Sequence, residues 1–347
     1  MLLHGIFAPI STPFYPDGRL YLKKLEHNVE RYSRSPLAGL VVLGSTGEAV
    51  MLSDEERREV LRVSRENAAA EKVLVAGTGA ESVIETLKLT EYAASLGYDA
   101  ALIRTPHFYK PQMHPKNLLV FYRTIADRSA LPVLLYSVPV FTGYDLPLEV
   151  VAELAEHRNI IAIKESSGNV AKIGEMVQAT RHIHRHVTVT EIFTAVTSRM
   201  LSAGAEEGRQ LVSVESLGGG VAVAAKPRLK TRSKDAGFQV LSGSAHLLLE
   251  SLQAGAVGAV VAFADVAPSA CFEVYTAWKD RDEKLAAEKQ ARIVEAAKRI
   301  VSHYGVPGIK YAQDFNGYYG GSPRMPLLPL TADGRAEIER LLAGIRS

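Results

Sequence analysis

Ile160-Ile161-Ala162-Ile163-Lys164-Glu165-Ser166-Ser167 is a short apolar strand that ends on a lysine and runs into a hydroxyl-rich turn. A lysine at such a strand end is partly desolvated, which disfavours the ammonium and leaves a nucleophilic amine. An amine of that kind forms Schiff bases with keto acids. A strand-end lysine that snorkels its ammonium to water fits the same eight residues. The flanking chain decides between the two.

Outward from this strand, apolar runs alternate with amphipathic stretches. The pattern predicts strands at Gly5–Ser11, Leu40–Leu43, Val73–Ala76, Ala100–Arg104, Val133–Val138, Ile160–Lys164, Phe238–Ser242 and Gly258–Phe263. Between them it predicts helices at Leu20–Tyr32, Asp54–Ala69, Ser82–Leu96, Pro115–Asp127, Pro147–His157, Val170–Arg181 and Ala245–Ala254. Near-continuous apolar strands alternating with helices imply a parallel sheet covered on its outer side. Eight such units imply an α/β fold of the closed (β/α)8 TIM-barrel type rather than an open doubly wound sheet. No G-x-G-x-x-G follows the first strand, which weakens a dinucleotide-binding alternative.

Two segments break the alternation. Residues 182–236 are far too long for an ordinary helix-to-strand connection and read as an insertion between the sixth helix and seventh strand. It carries Val187-Thr188-Val189-Thr190, which suits a hairpin or an extra sheet edge, then Gly218-Gly219-Gly220 and a basic run over Lys226–Lys234. The basic run fits a solvated loop or an acidic partner. Helical patterns at Ala270–Lys279, Asp282–Tyr304 and Ala332–Ala343 predict a C-terminal helical subdomain over 269–347, packed on a barrel of 1–268.

The chain has 347 residues, 47% hydrophobic and 22% charged, a composition that supports a large core. A formal net charge of +2 gives no reason to expect nucleic acid or a membrane surface as partner. No apolar run approaches the length of a spanning helix, and the first residues read directly as a strand rather than a leader. The single cysteine, Cys271, rules out an intramolecular disulfide and any cysteine-based metal site. A reducing cytoplasm is the expected compartment.

In a parallel barrel the reactive side chains gather at the C-terminal ends of the strands. After the second strand stands Gly44-Ser45-Thr46-Gly47-Glu48, where two glycines permit a sharp turn and successive N–H groups suit a carboxylate. A plain turn with hydroxyl capping fits as well. The fifth strand ends in Tyr136-Ser137-Val138-Pro139, followed by Thr142-Gly143. The Tyr136 phenol is either a proton relay beside Lys164 or a core tyrosine. The fourth strand ends in the aromatic loop Thr105-Pro106-His107-Phe108-Tyr109, a lid or subunit contact.

Gly44-Ser45-Thr46-Gly47-Glu48, Tyr136-Ser137-Val138-Pro139 with Thr142-Gly143, and Ile163-Lys164-Glu165-Ser166-Ser167, in this order and spacing, resemble the dihydrodipicolinate synthase/N-acetylneuraminate lyase family of pyruvate-dependent class I aldolases. The resemblance covers nearly everything except the insertion. It implies that Lys164 is the Schiff-base lysine and Tyr136 the proton-shuttling phenol. It implies further that the N–H groups of Ser45 and Thr46 hold the pyruvate carboxylate, and that the Val260 carbonyl faces the lysine. Ser166 and Ser167 are candidates for orienting the aldehyde end. The covalent imine on Lys164 replaces any cofactor or metal, and the implied assembly is a homo-oligomer, a tetramer built from dimers.

Within the family two positions depart from the synthases that condense pyruvate with aspartate semialdehyde. Phe141 stands where they carry a carboxylate-binding arginine, and Phe108 where they carry a relay tyrosine donated across a subunit interface, with Tyr109 adjacent. The Tyr136–Pro147 segment, Phe238–Ala245 and Gly317-Tyr318-Tyr319-Gly320-Gly321 look closest to 4-hydroxy-2-oxoglutarate aldolase. The expected activity is therefore cleavage of 4-hydroxy-2-oxoglutarate to pyruvate and glyoxylate. The synthase reaction, a sugar-acid lyase or dehydratase, and a non-catalytic keto-acid-binding homologue remain as alternatives.

Overall fold

The computed structural model describes residues 1–190 and 231–345. Eight parallel strands close a barrel: β1 (Gly5–Ala8), β2 (Gly39–Val42), β3 (Val73–Gly77), β4 (Ala100–Arg104), β5 (Val133–Ser137), β6 (Ile160–Glu165), β9 (Gln239–Ser242) and β10 (Gly258–Val260). β10 returns to β1 through the register Gly5↔Gly258, Ile6↔Ala259, Phe7↔Val260. The side-chain period of two divides every strand between two cores. Val41, Val75, Leu102, Leu134, Ala162 and Leu241 fill the barrel lumen. Their neighbours Val42, Ala76, Ile103, Leu135, Ile163 and Val240 face the surrounding helices. Each such buried aliphatic side chain contributes about 1.5–3 kcal/mol.

The helices arise where their sequences cap well. Ser53 accepts from Glu56 N, and Glu56 Oε2 accepts from Ser53 N, a reciprocal capping box that starts the helix Asp54–Asn67. Gly97, at φ 84°, ends the helix Val83–Leu96 in the left-handed conformation that glycine adopts without strain. The outer ring continues through Pro115–Arg128, Leu148–Ala155, Val170–Thr180 and Leu248–Gln253. The helix Pro268–Lys279 packs against β1 and against Leu248–Gln253, beside the barrel's closing seam.

Several elements end earlier than the sequence pattern predicts. β1 stops at Ala8, because Pro9 has no N–H for the ladder. β10 stops at Val260, and the chain turns through Ala262–Asp265, burying Phe263 and Asp265. The helix predicted over Asp282–Tyr304 is α-helical only for Glu283–Ala297 and becomes a π-helical turn at Lys298–His303. A new helix, Gly305–Phe315, follows.

Among the described residues, the two ends of the insertion pair with each other and add no strand to the barrel. β7 (His186–Thr190) pairs antiparallel with β8 (Thr231–Asp235) as a separate two-stranded sheet, so the end of the predicted basic loop is strand. Gly218–Gly220 and Lys226–Lys230 lie outside the described residues. The root of this sheet is tied to the N-terminal end of β6, where Arg185 Nη1 donates to Ile160 O at 2.7 Å and Nη2 to His157 O at 3.0 Å. That end of the barrel is opposite the strand C-termini, so the insertion's root lies away from the barrel mouth.

Candidate active site

Lys164 is inward-facing on β6 and 4% exposed. Strand register pairs it with Tyr136 of β5, and Tyr136 in turn with Arg104 of β4. Because parity is shared across in-register positions, all three side chains belong to the uppermost layer of the lumen. Lys164 Nζ lies 4.4 Å from the centre of the Tyr136 ring, close enough for a cation–π contact in the charged form. The Tyr136 hydroxyl is 3.2 Å from Ser45 Oγ.

The Gly44–Glu48 turn rests on strained backbone. Leu43 and Glu48 flank it at φ 63° and 54°, values that side-chain-bearing residues rarely adopt. Its own hydrogen bonds run from Gly47 N to Gly44 O and from Glu48 N to Ser45 O. That pattern leaves the N–H groups of Ser45 and Thr46 out of the turn's internal bonding. Gly77 is required here, since a Cβ on it would stand 2.2 Å from Leu43 O.

Buried charges hold the turn from behind. Glu48 Oε1 pairs with Lys310 Nζ at 2.6 Å, with neither side chain more than 1% exposed. Lys310 also donates to Thr12 O and Ser322 O. Burial lowers the Lys310 pKa, with Glu48 working against that shift. Arg324 N donates to Glu48 Oε2, and its guanidinium binds Glu56, Met51 O and Gly18 O. The C-terminal region therefore fixes the turn, a role that neither residue's local sequence reveals.

A second polar network fixes the strand ends that carry the reactive groups. Lys172 bridges Glu165 and Asp145, and Asp145 accepts from Ser137 Oγ at 3.0 Å. Glu165 and Ser137 follow Lys164 and Tyr136 and have the opposite parity, so this network clamps β5 to β6 from outside the lumen. Ser166 N donates to Ser137 O across the same seam.

The mouth opens into a cavity of about 540 Å³, lined on its inner side by Ser45, Tyr136, Leu102 and Arg104 and farther out by His107, Phe141 and Tyr304. Lys164 is not itself among the lining residues; its amine lies against the Tyr136 ring, which is. Thr46 is buried at the turn, and Val260 lies in the lumen cluster with Tyr136 and Leu241. The structure does not bring Ser166 or Ser167 to the cavity lining. The Ser166 side chain is against Gly243, and Ser167 Oγ accepts from Asn169 N at the start of the next helix. Phe108 and Tyr109 are 74% and 66% exposed and stack edge to face on each other, so Tyr109 supplies no hydroxyl to this chain's own cavity.

Two residues near the lumen were not singled out from the sequence. Asp265 follows β10 and is fully buried, with neither carboxylate oxygen hydrogen-bonded. Burial pushes its carboxyl well above the usual range, and the positive charge of Lys164 opposes that shift. Arg104 has the same sequence signature as Lys164, a charged residue closing an apolar strand. Among the described residues no group of His, Cys, Asp or Glu forms a metal-binding cluster, and no helix is long and apolar enough to cross a membrane.

The dihydrodipicolinate synthetase family model matches residues 2–216 and 209–345. The chain belongs to this family. A 4-hydroxy-tetrahydrodipicolinate synthase of Methanothrix thermoacetophila is 30% identical over 341 residues, 98% of this chain and 96% of the relative. A second, from Acidiphilium cryptum, is 27% identical and covers 99% of both chains. The same fold occurs in a dihydrodipicolinate synthase from Bacillus anthracis, at TM-score 0.79 and 24% identity, covering both chains completely. A family member from E. coli K12 solved in complex with pyruvate has TM-score 0.78 and 26% identity, over 99% of each chain. Family members are class I aldolase-type lyases and synthases that use pyruvate, and this chain is such an enzyme. The relatives' names favour the synthase over the 4-hydroxy-2-oxoglutarate aldolase that the sequence segments suggest.

Proposed function

We propose that the protein condenses pyruvate with a carboxylate-bearing aldehyde through a Schiff base on Lys164, with the 4-hydroxy-tetrahydrodipicolinate synthase reaction as the first reading. The observation that carries the chemistry is the in-register placement of Lys164 beside Tyr136, whose hydroxyl meets Ser45. The aldehyde assignment, aspartate semialdehyde, rests on whole-length similarity to relatives that bear the synthase name.

Neutral Lys164 attacks the keto carbon of pyruvate, whose carboxylate lies on the N–H groups of Ser45 and Thr46. Tyr136 delivers a proton to the departing hydroxyl as the carbinolamine loses water, and the protonated imine forms. Loss of a methyl proton gives the enamine, whose carbon attacks the aldehyde and makes the new C–C bond as the aldehyde oxygen takes up a proton; water then hydrolyses the product imine and frees Lys164. The imine then acts as the electron sink for the reverse cleavage too, so no metal or further cofactor enters the scheme. The lumen packing around Lys164 excludes bulk water while these charges form.

Phe108 and Phe141 support a second reading, cleavage of 4-hydroxy-2-oxoglutarate to pyruvate and glyoxylate, because the synthase resemblance implies tyrosine and arginine there. Incubation with pyruvate and borohydride, followed by peptide mass spectrometry, tests the shared step. A reduced pyruvate adduct on Lys164, absent in Lys164→Ala, is expected; a folded protein without it refutes the Schiff-base reading. Rates of pyruvate consumption with aspartate semialdehyde, against release of glyoxylate from 4-hydroxy-2-oxoglutarate, then separate the two activities.

A further inference from the structure

We infer that Arg104 binds the second acidic group of the substrate, the carboxylate of the aldehyde partner, and so sets selectivity for acidic over neutral aldehydes. The inference rests on the Schiff-base reading above. Arg104 closes β4 in register with Tyr136, and Tyr136 is in register with Lys164. Parity places Arg104 on the lumen side, one strand beyond Tyr136 from the lysine. Gly79 on the adjacent segment leaves room for it, since a Cβ there would stand 3.0 Å from Arg104 Cγ.

The other cations that line the cavity are less suited. Arg57 is committed to Ala49 O and Asp54, and Lys88 is 60% exposed and paired with Glu85. Arg58 is an exposed residue stacked over Tyr92. Arg104 is 20% exposed, and it is held in place through a single nitrogen: Nη1 meets Glu81 Oε1 at 2.7 Å and His107 Nδ1 at 2.8 Å. Among the described residues Nε and Nη2 have no protein partner. They form one edge of a planar fork, the geometry that takes a carboxylate bidentately.

Glu81 makes that fork rigid. Its Oε2 accepts from His107 N at 2.9 Å and Phe108 N at 3.0 Å, so one carboxylate anchors both Arg104 and the aromatic loop. Burial pushes the Glu81 carboxyl up, but the Phe108 N–H, Arg104 and the His107 N–H together outweigh it and leave the pKa below the usual value. Glu81 is thus charged at neutral pH and engages the guanidinium only through Nη1, leaving the Nε/Nη2 edge free to donate. The loop position where the synthase resemblance implies an arginine holds Phe141. Arg104 supplies a cation to the same cavity from a barrel strand instead.

The test compares wild type, Arg104→Met, Arg104→Lys and Glu81→Gln with pyruvate plus glyoxylate or acetaldehyde, aldehydes of similar size that differ in charge. Loss of a charged hydrogen-bonded contact predicts an approximately 10- to 100-fold fall in kcat/KM for glyoxylate in Arg104→Met. Acetaldehyde turnover and the borohydride-trapped pyruvate adduct should hold, and Arg104→Lys should recover part of the loss. A parallel fall on both aldehydes, matched by Glu81→Gln, would overturn the inference and leave Arg104 as a loop tether. Loss of the pyruvate adduct in Arg104→Met alone would assign it to the pyruvate end instead. Wild type without any adduct would remove the Schiff-base reading itself, and the inference with it.

Discussion

Replacing Lys310 by methionine removes one half of an ion pair in which the side chains are 0% and 1% exposed. Methionine fills similar volume, so the cost is electrostatic rather than steric. Glu48 keeps only the Arg324 N–H, while Thr12 O and Ser322 O lose their donor. Breaking a buried pair on one side costs about 3–5 kcal/mol, because the remaining charge has no counter-ion. Both variants leave two carbonyls unsatisfied, about 1–3 kcal/mol each, but removing both charges in Glu48→Gln/Lys310→Met avoids the uncompensated buried carboxylate that Lys310→Met leaves. The double variant should therefore be more stable than Lys310→Met alone. Urea denaturation of the four proteins reads this directly. The same variants report on the site, since Glu48 closes a turn whose flanking positive φ values store about 1–3 kcal/mol each. Lys310→Met should lower the yield of trapped pyruvate adduct as the turn relaxes. A destabilisation under about 1 kcal/mol, or a double variant at least as costly as the two singles summed, would refute the view that this pair holds the turn.

Tyr136→Phe keeps the ring beneath Lys164 and removes the hydroxyl that meets Ser45; kcat should fall about 100-fold or more with little change in the denaturation midpoint. Unchanged kcat would move the proton relay elsewhere. His4 has its pKa lowered to about 4 by burial, then by Lys234 and Lys279. Between about 4 and the ordinary histidine value of 6.5 the unfolded chain holds a proton that the folded chain has lost, so this group adds stability as pH rises, about 3 kcal/mol across the window. Asp265 has the opposite sign: its folded pKa is raised by burial, so above the ordinary aspartate value of 3.8 the protein loses stability with rising pH until the folded group ionises. Denaturation against pH should flatten across the lower window in His4→Gln, while Asp265→Asn should gain stability at neutral pH. Identical pH profiles for either variant and wild type would discard that assignment.

The barrel was legible because strand burial on both faces writes continuous apolar runs, and every predicted barrel strand overlaps an observed one. That Lys164 and Tyr136 are neighbours follows from the same pattern, since each is a polar group standing where an apolar run ends. The pairing of β7 with β8 was not legible, because it joins segments some forty residues apart by register alone. The π-helical turn at Lys298–His303 leaves no mark on a helical hydrophobic pattern. Lys310 and Arg324 read locally as ordinary cations on a C-terminal region, and only tertiary packing brings them to Glu48. Sequence adjacency to Lys164 does not fix the direction of Ser166 and Ser167: the chain leaves β6 there and turns toward Gly243 and the next helix.

Arg104 shows what the strand rule yields when it is applied to every strand alike. Ala100-Ala101-Leu102-Ile103-Arg104 has the form of Ile160-Ile161-Ala162-Ile163-Lys164, and Leu102 and Ala162 both face the lumen. Two residues further on, Arg104 and Lys164 must face it too. Adjacent strands stand about 4.8 Å apart, so β4 and β6 present their cations from backbones about 10 Å apart, with Tyr136 between them. An adduct tethered to Lys164 at its keto carbon and to Arg104 at a distal carboxylate would, together with those two long side chains, bridge β6 to β4 across the phenol. On the proposed assignment the C–C bond is then made directly above Tyr136, whose hydroxyl serves proton transfers at both the imine and the new alkoxide. That arrangement makes the charge of the aldehyde a requirement of alignment as well as of affinity, so in Arg104→Met the loss with glyoxylate should appear in kcat as well as in KM.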